Sequence, residues 1–148
     1  MLPAGPPQFV YRRRVEFAET DMAGIVHFSY FCRYMEEAEH AWFRSLGLKI
    51  MQPRPDGAVV GWPRVRASCV FVSPAFYEDE LEVGLRLARR GVKSLTLAFD
   101  IVRGADRVAT GEVKTVCCLH PPGQPFHSIA IPPEYEAVLV EAPSAPAG

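Results

Sequence analysis

The chain has 148 residues, which suffice for one domain with a single hydrophobic core and leave little for a second. Its composition, 49% hydrophobic and 22% charged, is typical of globular proteins and excludes disordered and fibrous classes. Lys and Arg number 16 against 17 Asp and Glu, so the formal net charge of −1 provides no positive field for nucleic acid or an anionic membrane. Function is therefore expected to depend on a local site.

The two ends of the chain and its cysteines favour an intracellular protein. The opening residues, MLPAGPPQFVYRRR, carry proline where a signal peptide needs an apolar core, and no apolar run approaches the ~18 residues of a membrane-spanning helix. The closing residues, EAPSAPAG, are typical of a short Pro/Ala tail. The four cysteines are Cys32, Cys69, Cys117 and Cys118. Because they lack C-x-x-C or secreted-framework spacing, we expect reduced thiols, a cytoplasmic location and no metal site.

One strand and one long helix are predicted in the first third of the chain. Apolar and charged residues alternate over residues 11–17, which predicts a half-buried strand. A helix is predicted from about Ser29 to Leu46, because apolar residues recur there at steps of three or four. This stripe consists of Phe31, Met35, Ala38, Trp42 and Leu46. We expect Ser29 to cap the helix at its start and Gly47 to end it.

The rest of the chain is predicted to be mainly strands. Prolines within residues 49–61 predict a loop. Alternation then returns in four segments with apolar faces at residues 65–71, 81–87 and 95–101 and in a last strand from about 108 to 119. Hairpin turns are expected at Arg90-Gly91 and at Gly104-Ala105-Asp106. One amphipathic helix with about five antiparallel strands indicates an α+β domain whose helix covers one sheet face.

The most specific pattern lies between the first strand and the helix. The segment V-E-F-A-E-T-D-M-A-G-I-V-H-F-S-Y-F (residues 15–31), followed by the long helix, resembles the hotdog-fold acyl-CoA thioesterases. The closer resemblance is to the 4-hydroxybenzoyl-CoA thioesterase-like branch, which also contains the YbgC-type enzymes. It extends over about residues 11–119. Its most specific part is D-x-x-G-I-V, formed by Asp21, Gly24, Ile25 and Val26 directly before a helix.

This resemblance implies a fold, an assembly and an activity. The fold is the hotdog, one long helix wrapped by a curved antiparallel sheet. The assembly is a homodimer joined across sheet edges, which can pair again into a homotetramer, with each active site at the subunit interface. The activity is hydrolysis of acyl-CoA or aroyl-CoA thioesters without a metal or an organic cofactor. Association is also expected because a free edge strand in so small a protein invites pairing.

The same resemblance assigns the two main catalytic groups. Asp21 is the carboxylate, acting as general base or as a nucleophile that forms a transient anhydride. In the aroyl-CoA enzymes, the oxyanion donor is the backbone N–H seven residues after the Asp, which here belongs to Phe28. A helix N-terminus suits the negative charge that a thioester carbonyl acquires. The structural alternatives are a turn-forming Asp21 and a Phe28 side chain that packs as a hydrophobic staple.

Two positions depart from the YbgC-type pattern. Those enzymes carry a His seven residues after the Asp, whereas His27 falls six after it, where the aroyl-CoA thioesterases have an aromatic residue. His27 therefore either orients the water or Asp21, or satisfies a backbone group at the helix entry. Phe17 stands where YbgC-type enzymes have Tyr, so any role of that phenol is missing.

Carboxylates on the predicted helix form a second candidate group, because another hotdog branch places its catalytic carboxylate there. They are Glu36, Glu37 and Glu39. Their spacing against Arg33 and Arg44 instead favours solvated ion pairs along the helix.

Basic residues are expected near the site because CoA carries phosphates. The first candidates, beside the turn at Gly91, are Arg89, Arg90 and Lys93, and a weaker second set is Arg64 and Arg66. Trp62 is a candidate for lining the acyl pocket. The alternatives are a solvated hairpin and a Trp62 that packs in the core.

Two other functions use the same fold. One is a non-catalytic acyl-CoA-binding protein, against which the retained Asp21 motif argues. The other is a dehydratase or hydratase, since His27-Phe28 resembles the H-F-P start of a dehydratase motif. The prolines that should follow, and the hydratase pattern D-x-N-P-x-H, are missing. The acyl group, CoA or carrier-protein thioester, and dimer or tetramer stay open at this point.

Overall fold

Nine strands, two helices and one 3₁₀ turn make up the part of the chain that the structure describes. The structure is a computed structural model and describes residues 5–144. In chain order the elements are β1 (Phe9–Arg14), the 3₁₀ turn (Phe17–Glu19), α1 (Tyr30–Ser45), β2 (Gln52–Pro53), β3 (Val59–Gly61), β4 (Arg64–Phe71), β5 (Glu80–Arg90), β6 (Ser94–Arg103), β7 (Asp106–Val116), β8 (Cys118–His120), β9 (His127–Ser128) and α2 (Pro133–Glu136).

The main sheet has five antiparallel strands in the order β1-β5-β6-β7-β4, and α1 packs across one of its faces. The helix buries the predicted stripe, including Phe31, Met35, Ala38 and Trp42. The apolar faces predicted for residues 81–87 and 95–101 are buried against it, since alternate side chains of β5 and β6 point to the same side. These observations confirm the predicted α+β fold, with one long helix and a sheet of five strands.

The predictions for the two ends of α1 have different outcomes. Gly47 ends the helix as predicted: it has a φ of +73°, which favours glycine, and its N–H donates to the carbonyl of Arg44 at 3.0 Å. The prediction for Ser29 is wrong. Its backbone is already helical (φ −65°, ψ −23°) and its side chain makes no capping bond. The Ser29 hydroxyl instead forms a hydrogen bond with Nδ1 of His27 at 2.8 Å.

The apolar face predicted for residues 65–71 is a strand face but is only partly covered. β4 lies at the edge of the main sheet and pairs only with β7 among the described strands. On that face Val65 and Phe71 are 59% and 53% exposed, although the Phe71 ring contacts Phe31 of α1. Alternation therefore predicted the strand correctly, but not its position at an edge where α1 covers it only in part.

A second, small sheet corrects two further predictions. Its order is β2-β3-β8-β9. The predicted loop at residues 49–61 contributes β2 and β3, and the single strand predicted over 108–119 divides into β7 and β8. The division falls at Cys117, whose N–H donates to Lys93 O at 2.7 Å and whose carbonyl accepts the N–H of Ile129 at 2.9 Å. These two bonds turn the chain from one sheet into the other.

The first strand is shorter than predicted, because β1 ends at Arg14. Phe17 lies in the 3₁₀ turn, where it is 75% exposed rather than half-buried. Both predicted hairpin turns are confirmed, since β5 and β6 are joined around Gly91 and β6 and β7 are joined at Gly104-Ala105.

The residues after β8 return to the core and to the edge of β5. Tyr135 and Leu139 are buried in the core, and the N–H of Ala142 donates to Leu87 O at 2.8 Å. Residues 1–4 and 145–148 of the predicted terminal tails lie outside the described residues. No helix among residues 5–144 is long and apolar enough to cross a membrane.

Candidate active site

A narrow hairpin formed by residues 19–27 carries Asp21. It is closed by the N–H of His27, which donates to Glu19 O at 2.8 Å, and by the N–H of Asp21, which donates to Ile25 O at 2.9 Å. Gly24 forms the tip: its φ is +79° and its N–H donates to Asp21 O at 2.9 Å. A left-handed residue at this tip explains why the motif has glycine three residues after the aspartate.

The carboxylate of Asp21 is exposed and only partly used by the protein. Its Oδ1 accepts the N–H of Ala23 at 2.8 Å, which fixes the side chain against its own turn. Within residues 5–144, the other carboxylate oxygen has no hydrogen-bond partner. Asp21 is therefore held in place, with one oxygen left for water or a substrate.

Asp21 opens on a mainly apolar pocket of about 590 Å³, within the usual size of small-molecule sites. Three segments form its walls: the Asp21 hairpin, the start of α1, and the residues that follow β4. Phe28, Phe31 and Phe71 supply aromatic surface, and the rings of Phe31 and Phe71 lie edge to face with centroids 5.3 Å apart. The Val26 N–H donates to Ala75 O at 2.8 Å and fastens the hairpin to the far wall.

The backbone N–H of Phe28 is available at this pocket. Its neighbours are used, since the N–H of His27 donates to Glu19 O and that of Ser29 donates to Nδ1 of His27 at 3.3 Å. The Phe28 N–H has no acceptor within the described residues. It lies two residues before the first residue of α1, at the positive end of the helix dipole. The Phe28 side chain is 65% exposed, so it does not form a buried staple.

His27 lies beside the pocket but is not part of its lining. Its ring is hydrogen-bonded to Ser29, and its centroid is 4.5 Å from that of Phe28. Asp21 and Phe28 are thus brought together at the pocket, whereas the His27 ring is held at the helix entry.

Comparison with known proteins identifies the family of the chain. Residues 15–139 match the model of the Thioesterase-like superfamily. The chain belongs to this family. A 1,4-dihydroxy-2-naphthoyl-CoA hydrolase of Thermosynechococcus vestitus is 30% identical over 134 residues, which are 90% of this chain and 89% of that protein. The resemblance found in residues 15–31 is thereby confirmed, and thioester hydrolysis is supported as the activity.

Two solved structures resemble this member of the Thioesterase-like superfamily. A hypothetical protein from Aquifex aeolicus shares 33% identity with a TM-score of 0.75, covering 89% of this chain and 99% of that one. A 1,4-dihydroxy-2-naphthoyl-CoA thioesterase from Synechocystis shares 25% identity with a TM-score of 0.75, covering 88% of this chain and 94% of that one. The hotdog fold expected from the sequence is confirmed by the family match and these neighbours.

In this thioesterase-like protein, the basic residues predicted for CoA lie far from the pocket of their own subunit. They lie at the β5–β6 turn, whereas the Asp21 hairpin lies at the opposite end of β5. The eleven residues of β5 separate the two by about 35 Å. Arg90 Nη1 donates to the carbonyls of Glu136 and Leu139, each at 2.7 Å. Lys93 Nζ is 3.3 Å from Ser128 Oγ, and Arg89 is exposed.

Trp62 lies in the core rather than at the pocket of its own subunit. It is 4% exposed and packs against Phe43 and Tyr135, with ring centroids 5.7 and 5.4 Å away. The pocket lining does not include it. From the sequence alone, an aromatic residue before a strand could belong either to the core or to the acyl pocket.

The glutamates of α1 do not form the solvated pairs predicted along the helix. Glu39 is 1% exposed and its carboxylate accepts a hydrogen bond from Arg64 at 2.6 Å. Burial raises the pKa of Glu39 to about 7, although Arg64 acts in the opposite direction. Glu37 pairs with Arg13 at 2.7 Å. Helical spacing missed these partners because it compares residues of one helix and not those of the strands beside it.

The remaining sequence candidates are also committed to protein contacts. Arg64 bonds Glu39, and Arg66 pairs with Glu112. Within residues 5–144, no group of three or more His, Cys, Asp or Glu side chains is placed to hold a metal ion. Burial raises the pKa of Cys69 and of Cys117 to about 11, which keeps these thiols protonated near neutral pH.

Proposed function

We propose that this protein hydrolyses aromatic acyl-CoA thioesters in the pocket beside Asp21. One observation carries the proposal: an apolar cavity brings together an exposed carboxylate and a backbone N–H that lacks an acceptor within the described residues. Thioester hydrolysis needs these two groups, one to activate or replace the attacking water and one to stabilise the oxyanion.

The two groups act at opposite ends of the attacked carbonyl. In the general-base form, Asp21 takes a proton from water as the water oxygen bonds to the thioester carbon. The carbonyl oxygen becomes negative and accepts the N–H of Phe28. The C–S bond then breaks and the CoA thiolate takes up the proton. In the nucleophilic form, an Asp21 oxygen bonds to the carbon, the thiolate leaves, and water hydrolyses the anhydride.

An aromatic acyl group suits the lining of the pocket. Phe28, Phe31 and Phe71 offer ring faces and edges, which favour flat aromatic rings over flexible chains. The relatives from Thermosynechococcus vestitus and Synechocystis carry names that specify a naphthoyl-CoA substrate. His27, held by Ser29 beside Phe28, is proposed to keep the helix entry in place rather than to touch the substrate.

A homodimer formed through β4 would complete the site. β4 is an edge strand, and more than half of the surface is exposed at Val65, Val70 and Phe71 of this strand and at Val72 directly after it. Two copies of β4 paired antiparallel would place Arg64 at the start of one strand near Phe71 at the end of the other. The pocket, which includes Phe71, would then face the partner subunit. A homotetramer requires a second contact between such dimers.

The same pairing would bring the predicted phosphate-binding residues to the neighbouring pocket. Pro63 O accepts the N–H of Val116, and Lys93 O accepts that of Cys117, so the β5–β6 turn lies beside the start of β4. Arg89, Arg90 and Lys93 of one subunit are therefore proposed to bind the CoA phosphates at the pocket of the other. The four free cysteines accord with the proposed cytoplasmic location.

The test is thioester hydrolysis across short, medium, long and aromatic acyl-CoA esters, followed by thioester absorbance, with two aspartate variants. Asp21→Asn removes the proposed base, and Asp56→Asn is its matched control. Asp56 is also exposed and accepts the N–H two residues later, at 3.0 Å from Ala58. We expect the highest kcat/KM on aromatic esters. Asp21→Asn should lower kcat by about 100-fold or more, and Asp56→Asn should leave it unchanged.

The outcomes separate the functions that the sequence left open. No hydrolysis of any ester by the parent, combined with binding of CoA esters, would favour the non-catalytic binding protein. Water addition to an enoyl-CoA would favour the hydratase. Equal rates for parent and Asp21→Asn would remove Asp21 from the mechanism. Light scattering of the parent should give the mass of a dimer or tetramer, and a monomer would contradict the shared site.

A further inference from the structure

Beneath the Asp21 hairpin lies a group of four side chains from three segments, of which all but the 39% exposed Glu37 are largely buried. They are Arg13 of β1, Glu19 of the 3₁₀ turn, and Tyr34 and Glu37 of α1. The side chains of Arg13 and Glu19 are each 10% exposed, and Tyr34 is fully buried. Burying ionised groups costs free energy unless they are paired and hydrogen-bonded. None of the four lines the pocket, so neither the carboxylate chemistry nor substrate contact explains them.

Both carboxylate oxygens of Glu19 are used within this group. One accepts a hydrogen bond from Arg13 and the other accepts the hydroxyl of Tyr34. The Arg13 guanidinium also lies over the Tyr34 ring, 4.1 Å from its centroid, and bonds Glu37 through Nη1 at 2.7 Å. Burial raises the pKa of Tyr34, and the bond to Glu19 raises it further, so the hydroxyl remains a donor at working pH.

Glu19 also belongs to the hairpin that carries the proposed catalytic groups. It lies two residues before Asp21, and its carbonyl accepts the N–H of His27, the residue before Phe28. Its side chain is bonded to Tyr34, which lies on the same helix whose start presents the Phe28 N–H. Glu19 thereby joins the arm with Asp21 to the arm with Phe28, and fixes both to α1.

We propose that Tyr34 is a positioning residue that acts through Glu19 to set the distance between the Asp21 carboxylate and the Phe28 N–H. This inference rests on the proposed function, because it assigns catalytic roles to those two groups. Arg13 supplies the positive charge that pairs with the Glu19 carboxylate in this buried place. Displacing a reacting group by about 1 Å can cost about 100-fold in rate, so a small opening of this hairpin has a large effect on turnover.

Tyr135 provides a matched control for Tyr34. It is also a buried tyrosine of the same core, and its hydroxyl donates to a backbone carbonyl, that of Lys49, at 2.8 Å. Its contacts include Phe43 and Trp62, near the other end of α1. Removing the Tyr34 hydroxyl deletes a buried hydrogen bond to a carboxylate, whereas removing that of Tyr135 deletes a part-buried hydrogen bond to a carbonyl, so Tyr34→Phe should lose more stability. Only Tyr34 is connected to the Asp21 hairpin.

The experiment compares Tyr34→Phe with Tyr135→Phe on the best aromatic CoA ester. Tyr34→Phe should lower kcat by about tenfold or more while KM stays within about twofold, because geometry at the reacting carbon changes and the pocket does not. Tyr135→Phe should leave both constants unchanged. Glu19→Gln keeps an oxygen for the Tyr34 hydroxyl and should retain more turnover than Glu19→Ala. An equal fall in kcat for both tyrosine variants, or none for Tyr34→Phe, overturns the proposal.

Amide hydrogen exchange tests the same proposal without any substrate. In Tyr34→Phe, exchange should quicken at the His27 and Asp21 N–H groups, which close the hairpin, and Tyr135→Phe should leave both unchanged. If the parent hydrolyses no thioester, the proposed function fails. Faster exchange in Tyr34→Phe alone would then still support the positional role of Tyr34. Unchanged exchange in that variant would overturn it whatever the activity.

Discussion

The two ends of α1 carry similar kinds of residue but use them differently. At the start of the helix, Asp21 keeps one oxygen and Phe28 its N–H without partners in the described chain, beside an open pocket. Near the other end, Trp62 is enclosed by aromatic rings, and Arg90 donates hydrogen bonds to two backbone carbonyls. Aromatic and polar residues therefore occur at both ends, but only at the start of the helix do polar groups without a partner lie beside the pocket; Nε1 of Trp62 also lacks a partner among the described residues, yet it is enclosed in the core.

The comparison teaches that a polar group without a hydrogen-bond partner beside a cavity is a candidate for binding or catalysis. A polar group that is already hydrogen-bonded within the protein more often has a structural role. A polar group near a ligand site contributes to binding or catalysis only if the protein has not already satisfied it. Asp21 and the Phe28 amide meet that condition in a single subunit. Arg90 would have to exchange its carbonyl contacts for a phosphate, while Arg89 would not.

The largest expected effect comes from truncating an aromatic side chain at each end. Trp62→Ala should cost about 3–5 kcal/mol of unfolding free energy, because it empties a buried site. Phe71→Ala, at the 53% exposed pocket wall, should cost less than about 1 kcal/mol but raise KM for aromatic esters several-fold. Urea unfolding and steady-state kinetics on the folded fraction measure both. A raised KM for Trp62→Ala with little lost stability would assign Trp62 to the acyl pocket instead.

The sequence was sufficient for the parts of the fold in which periodicity and turn chemistry agree. The stripe of α1, the helix end at Gly47 and the inward faces of β5 and β6 follow from residue spacing alone. The turn between Asp21 and Gly24 also follows from the sequence, because the tip of the hairpin requires a residue with left-handed backbone conformation. These features depend on neighbours within a few residues along the chain.

The missing parts depend on what lies opposite a residue in space. Spacing indicated that alternate residues of 65–71 share a face, but not that β4 is an edge strand whose face is largely exposed. It placed Glu39 near Arg44 along the helix, while Arg64 of β4 is its partner. Glu19 and Tyr34 gave no signal at all, since their contact joins segments 15 residues apart through side chains.

Glu39 sharpens the comparison because it leaves a polar atom unfilled away from the pocket. Its Oε1 is buried without a partner among the described residues, while Arg64 and Glu36 lie near the carboxyl. A folded-state pKa of about 7 lies above the ordinary value of 4.5, so the unfolded chain ionises first as pH rises. The free energy of unfolding is therefore highest at pH values below the ordinary pKa of 4.5. It falls as pH rises and levels off above about pH 7.

This pH dependence should disappear in Glu39→Gln. Relative to that variant, the parent should lose on the order of 2 kcal/mol of unfolding free energy between about pH 5 and about pH 8. Glu134→Gln is the control, because Glu134 is exposed and lies on the other helix, α2. Thermal unfolding at several pH values gives the comparison, while kcat at fixed pH should stay unchanged. A large fall in kcat for Glu39→Gln would instead place this carboxyl in the reaction and weaken the rule drawn from the two ends.

The smallest expected effect on stability comes from replacing a glycine of positive φ. The prediction compares such a glycine at the site with one far from it. Gly24 and Gly104 both have positive φ, +79° and +59°, and a Cβ at either would meet no atom within 4 Å. Alanine at each should therefore cost about 1 kcal/mol through the backbone alone. Gly24→Ala should also lower kcat, because relief of the strain shifts the hairpin that holds Asp21, whereas Gly104→Ala should not. Equal kcat in the two variants, at equal stability loss, would mean that the position of Asp21 tolerates movement and that the carboxylate acts through a flexible water rather than a fixed geometry.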